Sequence, residues 1–268
     1  MDKYLIALDM DGTLLNSNRE ISNETKEYLK KLSKQGHTIV ISSGRPFRSI
    51  KKYYDELELT SPSICYNGAY IHSDTNLFDD FTFSFTYEEC LQIYNEIGKE
   101  NLENVLCENN ENLYLLHEDD ILWKYFWLKD INVIYGDLEK TLNQNPIIMI
   151  FRAKNQSNEI KDKIKKVMDN HPGINIRFWS GLTEFSEIYY NKVSKANALK
   201  RIMKELGYDK KNVIAIGDAL NDIEMIECAE IGVAMKNSSP ELIKKAKYVT
   251  EFANNQDGIK HFLENFFK

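Results

Sequence analysis

The stretch Ile6-Ala7-Leu8-Asp9-Met10-Asp11-Gly12-Thr13-Leu14-Leu15 runs an apolar segment into two carboxylates, and its reading decides the fold. Tyr4 to Leu8 is short, apolar and closed by turn chemistry, the pattern of a buried strand. The Asp-x-Asp-Gly turn behind it uses glycine's freedom at positive φ. Asp9 and Asp11 therefore fall at a strand's C-terminal end, where open α/β sheets bind their ligands.

Working outward, the same strand-then-helix rhythm repeats. Ser22 can cap a helix with Tyr28, Leu29 and Leu32 on one face, stopped at Gly36. Thr38 to Ile41 is a second apolar run. It leads into Ser42-Ser43-Gly44-Arg45-Pro46, with Pro46 suited to the first turn of a helix bearing Phe47, Ile50, Tyr54 and Leu57. Ser63 to Tyr66 is a third run, ending in Asn67-Gly68-Ala69. Strands alternating with helices predict a parallel sheet with right-handed crossovers.

The rhythm breaks near residue 83. Thr86-x-x-Glu89 reads as a capping box opening a helix through Leu91, Tyr94 and Ile97. Short strand patterns follow at Asn104 to Cys107, Leu113 to His117, Ile147 to Phe151, Ile174 to Trp179 and Glu184 to Tyr189, with helical patterns over Ile121 to Leu128 and from Ser157 through Met168. This predicts an antiparallel sheet with helices on one face. The β-α rhythm returns after Lys192, with a helix ended by Gly207, the strand Val213 to Ile216, and Gly217-Asp218-Ala219-Leu220-Asn221-Asp222 behind it. A strand at Ile231 to Met235, a helix capped by Ser239 with Pro240 first, and a last helix through Ile259, Phe262 and Phe266 complete the chain. The expected fold is α/β, a Rossmann-like parallel-sheet core over 1–82 and 190–268, interrupted by an inserted α+β cap domain over 83–189.

With 268 residues, 43% hydrophobic and 28% charged, and only 12 Gly and 5 Pro, the chain has the composition of a folded protein. The formal net charge of -7 argues against a nucleic-acid binder, which would show a basic stripe. Cys65, Cys90, Cys107 and Cys228 have no metal-site spacing and read as reduced core residues. No apolar run is long enough for a membrane span, and the run near Met1 breaks at Asp9, so a cytoplasmic protein without a membrane partner is expected. The sequence carries no signal of oligomeric state.

Polar residues at the element ends then define the chemistry: Asp9 and Asp11, Ser43 with Gly44, Lys195, and Asp218 with Asn221 and Asp222. A parallel sheet brings the strand-end groups to one edge. Oxygen ligands alone suit a hard cation, and one or two carboxylates plus a substrate phosphate is the usual way to hold Mg²⁺. Mg²⁺ and the Lys195 ammonium reverse the local sign, so that an anionic phosphate is attracted. In this arrangement Asp9 attacks phosphorus to give an aspartyl-phosphate, and Asp11 protonates the leaving oxygen and then accepts the proton of the attacking water. Ser43 and the Gly44 N–H bind phosphoryl oxygens, whose charge Lys195 offsets.

Asp-x-Asp-Gly-Thr, a hydroxyl residue before Gly-Arg, a later Lys and Gly-Asp-x-x-Asn-Asp together resemble the motifs of the haloacid dehalogenase superfamily. Their spacing, with about a hundred residues between the second and third, resembles the Cof-type phosphatases. The resemblance covers the whole chain. It implies a Rossmann-like core with a large α/β cap, and phosphoric monoester hydrolysis. It makes Asp9 similar to the nucleophile and a metal ligand, the Asp11 carbonyl a metal ligand, and Asp218 the third ligand. Met10, Ser43, Gly44, Lys195 and Asn221 match phosphate-binding positions, and Asp222 a carboxylate that orients a water ligand. Ala196 stands where relatives often have Gly.

A calcium loop counted from Asp9 fails, because Leu14 occupies the required glycine position and a strand precedes it. Arg45 reads as a salt-bridge partner and Asn67-Gly68 as a turn. Trp123, Tyr125, Phe126 and Trp127 read as core or a subunit contact. The expected function is a Mg²⁺-dependent phosphatase for small phosphorylated metabolites, above all sugar phosphates, with substrate choice placed among Arg177, Trp179, Glu184 and Glu187. A phosphomutase of the same superfamily and a non-catalytic metabolite-binding regulator are the competing readings.

Overall fold

The computed structural model describes residues 2–74, 79–126, 129–154, 158–178 and 185–268. The chain forms two compact units, Met1–Phe81 with Ser194–Lys268, and Thr82–Val193.

In the first unit the chain runs β1 (Leu5–Asp9), α1 (Asn23–Lys34), β2 (Thr38–Ser42), α2 (Phe47–Glu56), β3 (Ser63–Cys65), β4 (Tyr70–His72) and β5 (Phe81–Thr82). The second unit holds α3 (Tyr87–Ile97), β6 (Leu102–Glu108), β7 (Asn112–Leu115), α4 (Asp120–Tyr125), β8 (Asn132–Tyr135), α5 (Leu138–Thr141), β9 (Ile148–Ala153), α6 (Asn158–Asn170), β10 (Ile174–Phe178) and β11 (Phe185–Tyr190). The chain then returns to the first unit with α7 (Lys195–Leu206), β12 (Val213–Gly217), α8 (Ile223–Cys228), β13 (Ile231–Ala234), α9 (Pro240–Ile243), β14 (Tyr248–Val249) and α10 (Gly258–Phe266).

The first sheet is ordered β14-β13-β12-β1-β2-β3-β4-β5. β14 through β3 pair in parallel, with Leu8 beside Ile216 on one side and Asp9 beside Ser42 on the other. β4 turns back antiparallel to β3, an addition that the sequence pattern did not show. From β1 the chain builds outward through β2 and β3, and after the insertion it builds the opposite way through β12 and β13. The order thus reverses between β1 and β12, and such a switch point opens a crevice at the strands' C-terminal ends. All five residues of β1 are buried, so the strand that carries Asp9 is fixed from both faces.

Helix signals in the sequence are met closely. Ser22 Oγ accepts from Thr25 N, and Ser194 Oγ from Asn197 N at the start of α7. Pro46 sits one residue earlier than expected, as the N-cap of α2, where its lack of an N–H costs nothing.

The second unit is a sheet ordered β10-β11-β9-β6-β7-β8. One face packs Val105, Cys107, Tyr114, Met149, Phe151 and Ile188 with Cys90, Ile93, Ile97, Ile160 and Ile164 of α3 and α6. The opposite face carries Leu106, Leu113, Leu115, Ile150 and Phe185 with Leu122. The expected antiparallel pairing holds except between β7 and β8, which run parallel because α4 lies in the connection. The expected positions Trp127, Leu128, Ser157, Trp179 and Glu184 lie outside the described residues.

Candidate functional site

Asp9 ends β1 beside Ser42, and the turn behind it is closed by backbone bonds from Leu14 N to Asp9 O and from Leu15 N to Met10 O. Met10 itself is fully buried, so what it offers the site is backbone. Gly12 stands at φ +84, and a Cβ there would lie 2.4 Å from Asp218 Oδ2. Glycine therefore supplies both the left-handed backbone and the room for that carboxylate. Thr13 Oγ1 donates to Asp218 Oδ1 at 2.8 Å, and Asn237 Nδ2 donates to Gly12 O at 2.8 Å. The turn after β1 is thereby held to the loops after β12 and β13.

Lys195 is the first residue of α7 and its side chain is 1% exposed. A cation at a helix N-terminus works against the macrodipole, and a buried one needs close countercharges. Both are supplied: Nζ donates to Asp9 Oδ1 at 2.5 Å and to Asp222 Oδ1 at 2.6 Å. Burial pulls the ammonium down, but Asp222 and then Asp9 outweigh it and raise it overall. Asp222, with no exposed side-chain surface, gives its other oxygen to Asp218 N and Ala219 N, both at 3.1 Å. Both of its oxygens are thus engaged by the protein, one by Lys195 and the other by the loop after β12.

Asp9, Asp218 and Asp222 each place a carboxylate oxygen within 4.8 Å of the others'. Burial raises Asp9 well above the ordinary carboxylate range, Asp222 adds to this, Lys195 opposes it and Asp218 adds again. Burial likewise raises Asp218, against the hydrogen bond from Thr13. Ionised together, three carboxylates against one ammonium would leave two negative charges uncompensated at close range, and the raised Asp9 and Asp218 reflect that repulsion together with burial. That deficit equals the charge of one divalent cation, and the oxygen-only donor set suits a hard one. The residues present fit such an ion.

Asp11 points elsewhere. Its carboxylate is more than half exposed and is gripped by Arg45, with Nε donating to Oδ2 at 2.7 Å and Nη2 donating to Oδ1. Arg45 is 4% exposed. A buried guanidinium in a bidentate pair is a costly arrangement that holds a carboxylate in one orientation. From sequence Arg45 is expected only as a salt-bridge partner; a charged residue right after Ser-Gly at a strand end is the signal for more.

Ser43 is buried, its Oγ accepting from Arg45 N at 3.2 Å, while Gly44 is exposed at the crevice. Asn221 is exposed as well, and its Nδ2 donates to Asn67 Oδ1 at 3.0 Å. The structure thus brings together Asp9, Lys195, Asp218 and Asp222, and around them Gly12, Thr13 and Asn237; Thr13 and Asn237 were not anticipated. In the second unit Arg177 and Glu187 face each other across β10 and β11. Nη1 of Arg177 donates to Glu187 Oε2 at 3.1 Å, and its guanidinium lies 4.7 Å from the Tyr189 ring centroid.

The switch point gathers carboxylates around one ammonium, and β1 is not followed by the Gly-rich turn that a dinucleotide-binding protein needs. Residues 6–263 match the haloacid dehalogenase-like hydrolases, and the chain belongs to that family. It is 33% identical over 98% of its length to a Bacillus subtilis 5-amino-6-(5-phospho-D-ribitylamino)uracil phosphatase, covering 97% of that protein. It is 29% identical over 97% of its length to a putative phosphatase of the same organism, covering 96% of it. Among solved structures, a haloacid dehalogenase-like hydrolase from Bacteroides thetaiotaomicron superposes with a TM-score of 0.85 at 26% identity, over 99% of this chain and 100% of that one. The expectation of a Cof-type phosphatase, a phosphoric monoester hydrolase, agrees with the family and with these relatives. Among the described residues, no helix is long and apolar enough to cross a membrane.

Proposed function

We propose that the chain is a Mg²⁺-dependent phosphatase that hydrolyses small phosphorylated metabolites, sugar phosphates foremost, through an aspartyl-phosphate on Asp9. The observation that carries this is the buried Asp9–Lys195–Asp222 arrangement with Asp218 beside it. Lys195 draws one oxygen of Asp9 and leaves the other for attack on phosphorus. Asp9, Asp218 and the Asp11 carbonyl would hold the metal, which when bound supplies positive charge against the phosphate and the transition state. Ser43, the Gly44 N–H and Asn221 would hold the phosphoryl oxygens, with Met10 contributing backbone.

Asp11 acts as acid and then base. Arg45 would hold the Asp11 carboxyl in the orientation that meets the substrate's leaving oxygen and, in the second step, the attacking water. The phosphorylated ribityl chain in the name of the Bacillus subtilis relative makes polyol phosphates a first class to test beside sugar phosphates. A screen of phosphorylated metabolites with Mg²⁺ tests the proposal by comparing kcat/KM across the set. Turnover should vanish with Asp9→Asn and on chelation. Unaltered phosphate release by Asp9→Asn would end the nucleophile reading, and isomerised sugar phosphate in excess of free phosphate would favour a mutase.

A further inference from the structure

Tyr66, Asn67 and Gly68 stand consecutively in the left-handed region, at φ 47, 54 and 104. Only the last is a glycine. A buried tyrosine is held there against its ordinary preference, a condition that persists only when the surroundings impose it.

The surroundings are the phosphate-binding motifs themselves. Tyr66 N donates to Arg45 O at 3.1 Å, and Asn67 N to Ser43 O at 3.0 Å, which ties the turn to the loop after β2. Gly68 lies so close to the residue before Lys195 that a Cβ would sit 2.3 Å from Ser194 O. A Cβ on Gly44 would lie 3.1 Å from Asn67 Nδ2, so the amide lies against the exposed glycine. Asn67 Oδ1 accepts from Asn221 Nδ2 at 3.0 Å. One strained turn therefore touches Ser43–Gly44, the start of α7 and Asn221, three segments that are far apart in sequence.

We propose that Asn67 is a positioning residue for phosphate binding: it holds the Asn221 amide in its working orientation beside Gly44 at the phosphoryl site. The proposal rests on the phosphatase reading for its substrate, and on geometry alone for the anion site. The left-handed backbone explains the residue type, since asparagine tolerates φ near +54 better than other residues with a side-chain acceptor.

Asn67→Gly is the suitable perturbation, because glycine keeps the backbone conformation and deletes only the amide. Inorganic phosphate binding, measured by calorimetry with Mg²⁺ present, should weaken about tenfold in Asn67→Gly and to a similar extent in Asn221→Ala, the scale of one lost hydrogen bond. The double variant should be no weaker than Asn221→Ala alone, since one residue acts through the other. On p-nitrophenyl phosphate, kcat/KM should fall ten- to a hundred-fold, as expected of a small misplacement, with the melting temperature unchanged. Wild-type phosphate affinity in Asn67→Gly, additive losses in the double variant, or a wild-type chain that binds no phosphate would each overturn the proposal. A chain that binds phosphate with the predicted coupling yet turns over no ester would sink the phosphatase reading and leave the positioning role intact.

Discussion

Asp222→Asn is the substitution that most sharply separates a structural carboxylate from a ligating one. Asp222 meets three donors, Lys195 Nζ and the Asp218 and Ala219 N–H groups, and is wholly buried. Asparagine keeps the shape but offers one acceptor oxygen and an NH₂. In either orientation some donor faces a donor, and Lys195 loses one of its two countercharges. Breaking a buried pair from one side costs about 3–5 kcal/mol. Asp9 still pairs with Lys195, so the low end applies, about 3 kcal/mol. At roughly 2–4 °C per kcal/mol, the melting temperature should drop by about 6–12 °C. Differential scanning calorimetry reads this directly. Lys195→Met combined with Asp222→Asn should lose less than the sum of the single variants, because the second change removes the stranded charge. An Asp222→Asn chain melting within about 2 °C of wild type, or strict additivity in the double variant, would show that Asp222 and Lys195 are not coupled in this way.

Two further outcomes follow from other contacts. Arg45→Met releases Asp11 from its bidentate clamp, and kcat on a sugar phosphate should fall roughly ten- to a hundred-fold with KM little changed. The fall should be smaller on p-nitrophenyl phosphate, whose leaving group needs little protonation; equal losses on both would contradict a proton-transfer role. His37 is lowered by burial, with Lys3 adding to it, and its Nδ1 accepts from Tyr4 N at 3.1 Å. The unfolded chain then binds this proton at higher pH than the folded one. Stability is therefore fully present above the unfolded value of about 6.5 and is lost as pH falls below it. Urea midpoints compared at neutral and mildly acidic pH should show the loss, and His37→Gln should flatten it.

The site was legible in the sequence wherever a chemical constraint is local. Asp9 ends an apolar run, and Asp218 follows Gly217 at the end of another, so pattern alone puts both on one sheet edge. Lys195 could be singled out only by its place at the head of α7. What pattern could not show are partnerships made in space. Asp11 and Arg45 meet across 34 residues, Asn67 and Asn221 across 154, and Gly12 and Asn237 across 225. The missed elements are short: β4 has three residues and β8 four, too few to establish a period. The parallel pairing of β8 with β7 depends on the crossover by α4, and local alternation carries no information about strand direction.

In the proposed reaction Asp9 carries the phosphoryl group. Asp11→Asn turning over ³²P-labelled p-nitrophenyl phosphate with Mg²⁺, quenched in acid, tests it most directly. This substrate needs little help from a general acid to phosphorylate Asp9, whereas hydrolysis of the intermediate lacks its base. Acid-stable, hydroxylamine-labile label should appear on the protein, mapped by mass spectrometry to the peptide containing Asp9 and absent in Asp9→Asn. Phosphate release by the wild type with no label on that peptide, or with label unaffected by Asp9→Asn, would contradict it.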